Sequence, residues 1–526
     1  MSVSITTNKA MFRNLCSFCN RSLLSSQTRP FSTQYSKTQT TWNQKNVRSL
    51  VSVPANKPQL IRINKQSSLG SEAFQSQLSI DHKSSHEEQT RSTTLDNGLR
   101  VVTEDLGGLS ACIGLWIDAG SRYETSRNNG VAHFLEHLIF KGTQKRSQYD
   151  LEIEVENMGI QLNAYTSREQ TVYFGKCQSK DSEKLLEILS DILTNSVLDK
   201  GSINRERDVI LREMQEVESN LQEVVFDHVH EYAFRDSPLG YTILGPADNI
   251  RSINQSMLID YITTHYIASR IVLVAAGAVD HDEVVQWADK FLGRIPKESP
   301  LSWTLQPYNY QSATFGKEVP GLDIANVVFT VEGVAWANPD IIPLMIGNML
   351  IGAWDRGSSN QSANFLSPEN KLAAACLNEG LCYSYQSFNT CYMDTGLWGV
   401  HFVSGEKSVN RMIEAVCAEW ARVAFQSSDE EIERAKRSLK TNLMLQMDGY
   451  QPICEEVGRQ ILCYGRRIPL EEMNKRIDLL TPKQVRDVIA HYALDAKNIK
   501  PVVVGVGPVA DMMTANDAKQ MIQTKC

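Results

Sequence analysis

Apolar and polar positions along this chain alternate between two kinds of pattern. Short unbroken apolar runs such as Leu115-Trp116-Ile117, Ile271-Val272-Leu273-Val274 and Pro501-Val502-Val503-Val504 predict buried strands. The segment Gly130-Val131-Ala132, then positions 133–137, then Leu138-Ile139-Phe140 is largely apolar and free of proline, which predicts a buried helix. Asn204 to Glu216 reads as a long charged helix, on which Glu206 and Glu213 share a face. Asn97-Gly98, inside Thr94 to Val102, supplies a hairpin turn between two strands. The run Val272 to Val279 falls far short of the ~20 residues needed to cross a bilayer.

The same patterns repeat. Ile250-Arg251-Ser252-Ile253 through His265-Tyr266, then Ile271 to Gly277, matches Arg476-Ile477-Asp478-Leu479 through His491-Tyr492, then Pro501 to Gly505. Leu115 to Gly120 likewise parallels Thr330-Val331-Glu332-Gly333. The offsets, 213 from Gly120 to Gly333 and 226 from His265 to His491, differ as loops of unequal length require. Pro296, Pro300, Pro307 and Pro320 mark residues 296–320 as a linker between the two halves. Mixed strands and helices in both halves imply a layered sheet-and-helix architecture.

Charge divides the chain more sharply than its overall balance of −8 suggests. Residues 1–71 carry ten Lys or Arg and no acid, and are rich in Ser, Thr, Gln and Asn. That is the composition of a mitochondrial transit peptide, with a generic basic tail as the alternative. Residues 32–91 stay polar and read as a disordered extension. Without residues 1–71 the chain has 43 bases and 61 acids, a net charge of −18. So acidic a body argues against nucleic-acid binding and suits basic peptides. The eleven cysteines form no framework; Cys16-x-x-Cys19 is the close pair, and it lies in the leader. Scattered thiols fit a reducing compartment.

The candidate chemistry sits on the buried helix, in His133-Phe134-Leu135-Glu136-His137. Residues i and i+4 lie one above the other on a helix, so His133 and His137 can present two imidazoles to one metal. Glu136, close to one turn from His133, can reach the metal's open side. Two histidines and a carboxylate make a catalytic zinc set, and the order His-x-x-Glu-His is the inverzincin signature. Paired histidines in an apolar run also occur as satisfied core residues, so a third ligand has to decide. Glu206 and Glu213 are both available on the charged helix. The repeat acts as an internal control: the position equivalent to His133 is Ile346, and Arg434 to Met447, the counterpart of the Glu213 helix, holds no acid.

Several motifs together resemble the pitrilysin-type metallopeptidases, in particular the branch that holds the β subunits of mitochondrial processing peptidases and the core proteins of the cytochrome bc1 complex. They are His133, Glu136 and His137 with Glu213 in Arg-Glu-x-x-Glu-Val; Leu162-Asn163-Ala164-Tyr165-Thr166-Ser167-Arg168-Glu169-Gln170-Thr171; Glu206-Arg207-Asp208-Val209-Ile210; Pro238 to Pro246; and Asp394-Thr395-Gly396-Leu397-Trp398-Gly399. The resemblance covers roughly residues 92–510. It implies an α+β fold of two homologous domains, each a largely antiparallel sheet with helices on one face. Residues 1–91 would then be transit peptide and extension, 92–295 the catalytic domain, 296–320 the linker and 321–526 a non-catalytic domain.

For the site, the resemblance implies Zn²⁺, one per chain, on His133, His137 and Glu213. Glu136 would be the general base and Glu206 would orient a ligand. Glu223 and Asp227, spaced i and i+4, can converge on one guanidinium, and matching acids in the family hold the presequence arginine. Asn163 and Tyr165 lie on the strand expected to pair with substrate. Phe140 would line the pocket for an aromatic residue after the cut, and Arg356 would reach substrate from the second domain. Gly352 to Asn360 lacks the glycine-rich loop of the family's α subunits, so an α-type partner is implied, with basic presequence peptides as substrates. The expected setting is the mitochondrial matrix. A core subunit of the bc1 complex, structural or with dual function, is the competing reading, and a free-standing peptidase is a third.

Overall fold

The computed structural model describes residues 90–359, 370–495 and 497–525. Residues 1–89, with the Cys16/Cys19 pair and the expected transit peptide, lie outside the described residues. In the first half the elements that matter are β1 (Thr90–Thr94), β2 (Arg100–Asp105), β3 (Ser110–Ile117), α1 (Val131–Leu138), α2 (Gln148–Met158), β4 (Gln161–Thr166), β5 (Thr171–Gln178), α3 (Lys200–Glu218), α4 (Leu221–Ala233) and β6 (Ile271–Gly277). In the second they are β7 (Ala313–Glu318), β8 (Ile324–Glu332), α5 (Ile341–Ile351), β9 (Ala353–Asp355), β10 (Ser384–Cys391), β11 (Gly396–Gly405), α6 (Asp429–Gln446), α7 (Tyr450–Tyr464) and β12 (Val502–Gly507).

Each half builds a six-stranded sheet, in the orders β1-β2-β6-β3-β5-β4 and β7-β12-β8-β11-β10-β9. All neighbours are antiparallel except β2 with β6 and β7 with β12. The repeat read from the sequence is therefore a repeat of topology over five strands, β2-β6-β3-β5-β4 and β7-β12-β8-β11-β10, each beginning with the parallel pair, while β1 and β9 add at opposite edges. β1 and β2 form the hairpin that Asn97-Gly98 implies, and Gly98 takes a left-handed φ of 89°. β7 begins inside the proline-marked segment, and residues 301–312 carry no helix or strand.

Alternation along the strands gives each sheet two apolar faces. Ile113, Leu115 and Ile117 face the first half's own helices, together with Phe134 and Leu135 of α1. Cys112 and Trp116 face the other way, onto Cys454, Val457 and Ile461 of α7, which belongs to the second half. The second sheet mirrors this. Val327, Phe329 and Val331 pack on that half's helices, while Val328, Val502 and Val504 meet Val225, Phe226 and Val229 of α4. Helices of each half thus cover one face of its sheet, and a single helix from the opposite half covers the other. Gly458 makes the α7 crossing possible: a Cβ there would lie 2.3 Å from the Trp116 ring.

The two halves also meet at equivalent turns. Arg122 donates to Glu169, in the β4–β5 turn, at 2.5 Å and to both oxygens of Asp394, in the β10–β11 turn, at 2.7 and 2.6 Å. The Met393 N–H donates to both Glu169 oxygens, at 3.1 and 3.0 Å.

Candidate active site

α1 is the pivot of the site. Gly130, with φ 101°, starts it against Leu244 and Gly245, where a Cβ would collide with backbone. Having no side chain, Gly130 cannot cap the helix, and Glu124 does so from upstream. Its carboxylate accepts from the N–H of Gly130 at 2.8 Å, the N–H of Ala132 at 2.7 Å and Asn129 Nδ2 at 2.7 Å. A buried carboxyl group at a helix N-terminus satisfies donors that have no partner within the helix. Every residue of α1 is buried, as its apolar flanks imply.

His133 and His137 emerge from one face of α1, with ring centroids 4.7 Å apart. α3 lies alongside and delivers Glu213. Its Oε2 sits 3.3 Å from His133 Nε2 and 3.2 Å from His137 Nε2. The ligand atoms of His133, His137 and Glu213 all lie within 4.8 Å of one another. His137 Nε2 is buried and, although 3.2 Å from Glu213 Oε2, makes no aligned hydrogen bond, and the acids around the pair outnumber the histidines. Two inward imidazole nitrogens and one carboxylate oxygen, with an orphaned nitrogen among them, fit a zinc ion. Glu206, two turns before Glu213 on α3, reaches the other side of His137: its Oε2 is 3.4 Å from Nδ1. Lys141 Nζ holds the second Glu206 oxygen at 3.0 Å. Glu136 Oε2 lies 3.7 Å from His133 Nδ1.

The charges reinforce one another. Burial pushes the His133 imidazole down, but Glu136 and Glu213 override it and raise its pKa to about 10. Burial pushes Glu213 up, and the two imidazoles outweigh it, holding the carboxyl far below the usual range. Glu136 and Glu206 are lowered in the same way against their own burial, by His133 and by His137 with Lys141 respectively. The cluster therefore draws positive charge, whether protons or a metal.

A cavity of about 620 Å³ opens beside Glu136 and His137. Phe140, Leu151, Val155, Ile160, Leu162 and Phe174 give it apolar walls, and Asn163 lines it from β4. β4 is the free edge of the first sheet, one neighbour short of a full complement of strand hydrogen bonds. Gln451, at the start of α7, lines the same cavity from the second half, so that half contributes to the site's walls.

The remaining sequence candidates land in different places. The Tyr165 ring packs under α7 with the Trp116 cluster and edge-on to Phe174, which leaves its main chain at the sheet edge. Glu223 and Asp227 stand one turn apart on α4 but are already engaged. Glu223 accepts from Asn220 Nδ2 at 2.7 Å, and Asp227 from Arg168 Nη2 at 2.7 Å and Thr242 Oγ1 at 3.0 Å. Burial, Asp227 and Glu213 raise the Glu223 carboxyl pKa. Arg356 is exposed just past β9, the edge strand of the second sheet among the described residues, its guanidinium 5.9 Å from the centre of the Tyr383 ring. Four residues around the site escaped the sequence reading. Lys141 has a usable signal, sitting four residues after His137, just past the end of α1. Glu124, Arg168 and Gln451 act from outside the helix that carries the histidines, and no local spacing marks them.

Comparison with known proteins agrees with this geometry. Residues 100–247 match the family Insulinase (Peptidase family M16), and residues 252–439 match the Peptidase M16 inactive domain. The mitochondrial-processing peptidase subunit beta of Bos taurus is 50% identical over 432 residues, covering 81% of this chain and 86% of that protein. The human subunit is 50% identical over 455 residues, covering 83% and 88%, and that of Saccharomyces cerevisiae 45% over 427 residues, covering 79% and 91%. A chain of the Candida albicans Complex III2 structure with Inz-5 bound superposes with a TM-score of 0.73 at 21% identity, covering 82% of this chain and 99% of that one, and shows the same fold. With identity near one half across four fifths of its length, this chain belongs to peptidase family M16, the zinc-dependent metallopeptidases, and is similar to the β subunits of mitochondrial-processing peptidases.

Proposed function

We propose that this chain is the catalytic, β-type subunit of a mitochondrial processing peptidase, a zinc endopeptidase subunit that removes N-terminal transit peptides from imported precursors in the matrix. The observation that carries this reading is the convergence of His133, His137 and Glu213 with Glu136 beside them and an open sheet edge within reach. The basic, Ser-rich leader supports the compartment, and the net −18 of the remaining chain suits basic presequences.

In this reading His133, His137 and Glu213 hold one zinc per chain. Zinc held there supplies Lewis acidity, polarising the scissile carbonyl and acidifying the attacking water. Glu136 takes the water's proton and passes it to the leaving amine. Glu206, pinned by Lys141, keeps His137 in the tautomer and orientation that turn Nε2 inward. Substrate adds to the edge of β4 as an extra strand, through the main chain of Asn163 and Tyr165. Phe140 and its apolar neighbours take the side chain after the cut, Glu223 and Asp227 take an arginine, and Arg356 approaches from the second half.

An α-type subunit with a glycine-rich loop completes the enzyme. The purified chain alone is expected to cut presequence peptides poorly and to gain activity with that partner. Robust cleavage by the chain alone would remove the partner from the reading. The bc1 reading differs in a measurable way: a purely structural core subunit would co-purify with the respiratory complex and release no presequence with any partner.

A further inference from the structure

We propose that Arg168 is a positioning residue for substrate selection: its guanidinium fixes Asp227 and sets the charge that an incoming arginine meets. This rests on the reading above in which Glu223 and Asp227 take the substrate arginine.

Arg168 lies in the turn that ends β4, the strand offered to substrate. Its main chain is pinned, since its carbonyl accepts from the Arg122 N–H at 2.8 Å. Its side chain is 3% exposed and reaches across to α4, where Nη2 donates to Asp227 Oδ1 at 2.7 Å. The other Asp227 oxygen accepts from Thr242 Oγ1 at 3.0 Å. Each oxygen of this carboxylate therefore has one resident donor and keeps a lone pair for another. Asp227 remains one-third exposed, so those lone pairs have access to the open side.

Two consequences follow for an arriving guanidinium. First, Asp227 is not free to rotate. A fork that takes both Glu223 and Asp227 meets one carboxylate already oriented, which lowers the cost of ordering it. Second, the pair does not present two uncompensated charges. Arg168 offsets one, and one remains to match a single guanidinium. The Arg168 Nε is buried without a hydrogen-bond partner, an arrangement that packing alone would not favour over an apolar side chain. The same ion pair ties the substrate-pairing strand to the substrate-reading helix, so the two parts of the groove keep a fixed spacing.

The test uses the two-subunit enzyme with paired presequence peptides, one with the arginine and one with alanine in its place. The readout is the ratio of their kcat/KM values. Arg168→Met should lower this ratio roughly tenfold, on the scale of one charge-assisted hydrogen bond, mainly by raising KM for the arginine peptide, because losing the fixed orientation of Asp227 outweighs the extra negative charge left on the pair. Zinc content and kcat for the alanine peptide should hold. Arg168→Lys should recover part of the ratio. On an Asp227→Asn background, Arg168→Met should change it little further, because both changes remove one interaction. If Arg168→Met fails to fold, Thr242→Val removes the other bond to Asp227, leaves the buried charges paired, and should lower the ratio several-fold. An unchanged ratio, with both peptides slowed alike, would make Arg168 a packing residue only and overturn the inference while leaving the acid pair intact. A wild-type enzyme indifferent to the arginine would remove the acid-pair reading and this inference together.

Discussion

Asn442 lies 3.3 Å through Nδ2 from the sulfur of Met349, at the places in the second half that Glu213 and Glu136 hold in the first. The equivalence follows from the helix starts. Glu213 comes 14 residues after the capping Asp199, and Asn442 comes 14 after the capping Ser428. Met349 stands three after Ile346, as Glu136 stands three after His133. The paired helices survive in both halves; the ionisable groups survive in one. A fold that needs these helices packed does not need the acids, which is why the four side chains of the first half read as chemistry rather than architecture.

Glu213→Gln should lose most of the zinc that the wild-type chain retains through purification, because a neutral amide replaces the one anionic ligand. Metal analysis of the purified variant checks this, and full retention takes Glu213 off the ligand set.

Glu136→Gln should keep the metal and the fold but lose roughly 10²–10⁴-fold in presequence cleavage, the usual contribution of a general base. Near wild-type turnover with the partner subunit present would show that another group moves the proton.

Lys141→Met should weaken zinc binding by less than the about 10–100-fold expected for losing Glu206, the direct partner of the metal-ligating His137. The side chain sits outside the ligand set, so the effect reports on Glu206 and through it on His137. Chelator competition at fixed pH measures it; unchanged affinity would make the Lys141–Glu206 pair decorative.

Gly458→Ala should destabilise the protein although alanine favours helix by about 1 kcal/mol over glycine. The new methyl would meet Trp116 ring atoms at 2.3, 2.5 and 2.6 Å, and that ring is fully buried. Overpacking costs about 1–3 kcal/mol and should outweigh the propensity gain. A lower melting temperature is the expected result, and a raised one would show that α7 shifts freely.

The contribution of Glu169 to stability should fall as pH rises from about 4.5 towards 7. Burial, opposed by Arg122, raises this carboxyl to about 7. The folded state therefore holds a proton that the unfolded chain has already released, and stability is lost as that proton leaves. Glu169→Gln should flatten this part of the profile in chemical denaturation at stepped pH. An unaltered profile would mean that Arg122 keeps Glu169 ionised throughout.

The histidine pair was legible in the sequence because residues i and i+4 share one helix face, whereas spacing on α3 left Glu206 and Glu213 both open and only the family resemblance pointed to Glu213. The sheets were legible as apolar runs, and the repeat as matched segments. What escaped depends on contacts between distant parts of the chain. Asp227 looked available because its partner, Arg168, lies 59 positions away on a different element. Tyr165 lies on the strand expected to pair with substrate, but the covering of its ring by α7, which belongs to the other half, has no local signal. Glu124 caps a helix it does not belong to, so no capping pattern announces it.

The exchange of α4 and α7 between the halves has a consequence for how this protein can change. A metal-free half that merely stood beside the working one could be trimmed, replaced or lost. Here the silent half supplies the roof over Trp116 and Tyr165, and the working half supplies the roof over Val328 and Val502. Neither has a complete interior of its own. A nick within residues 301–312 would leave the two pieces clasped, while deletion of either piece would expose a bare sheet. The half without the histidine pair is thereby made indispensable to the half that holds it.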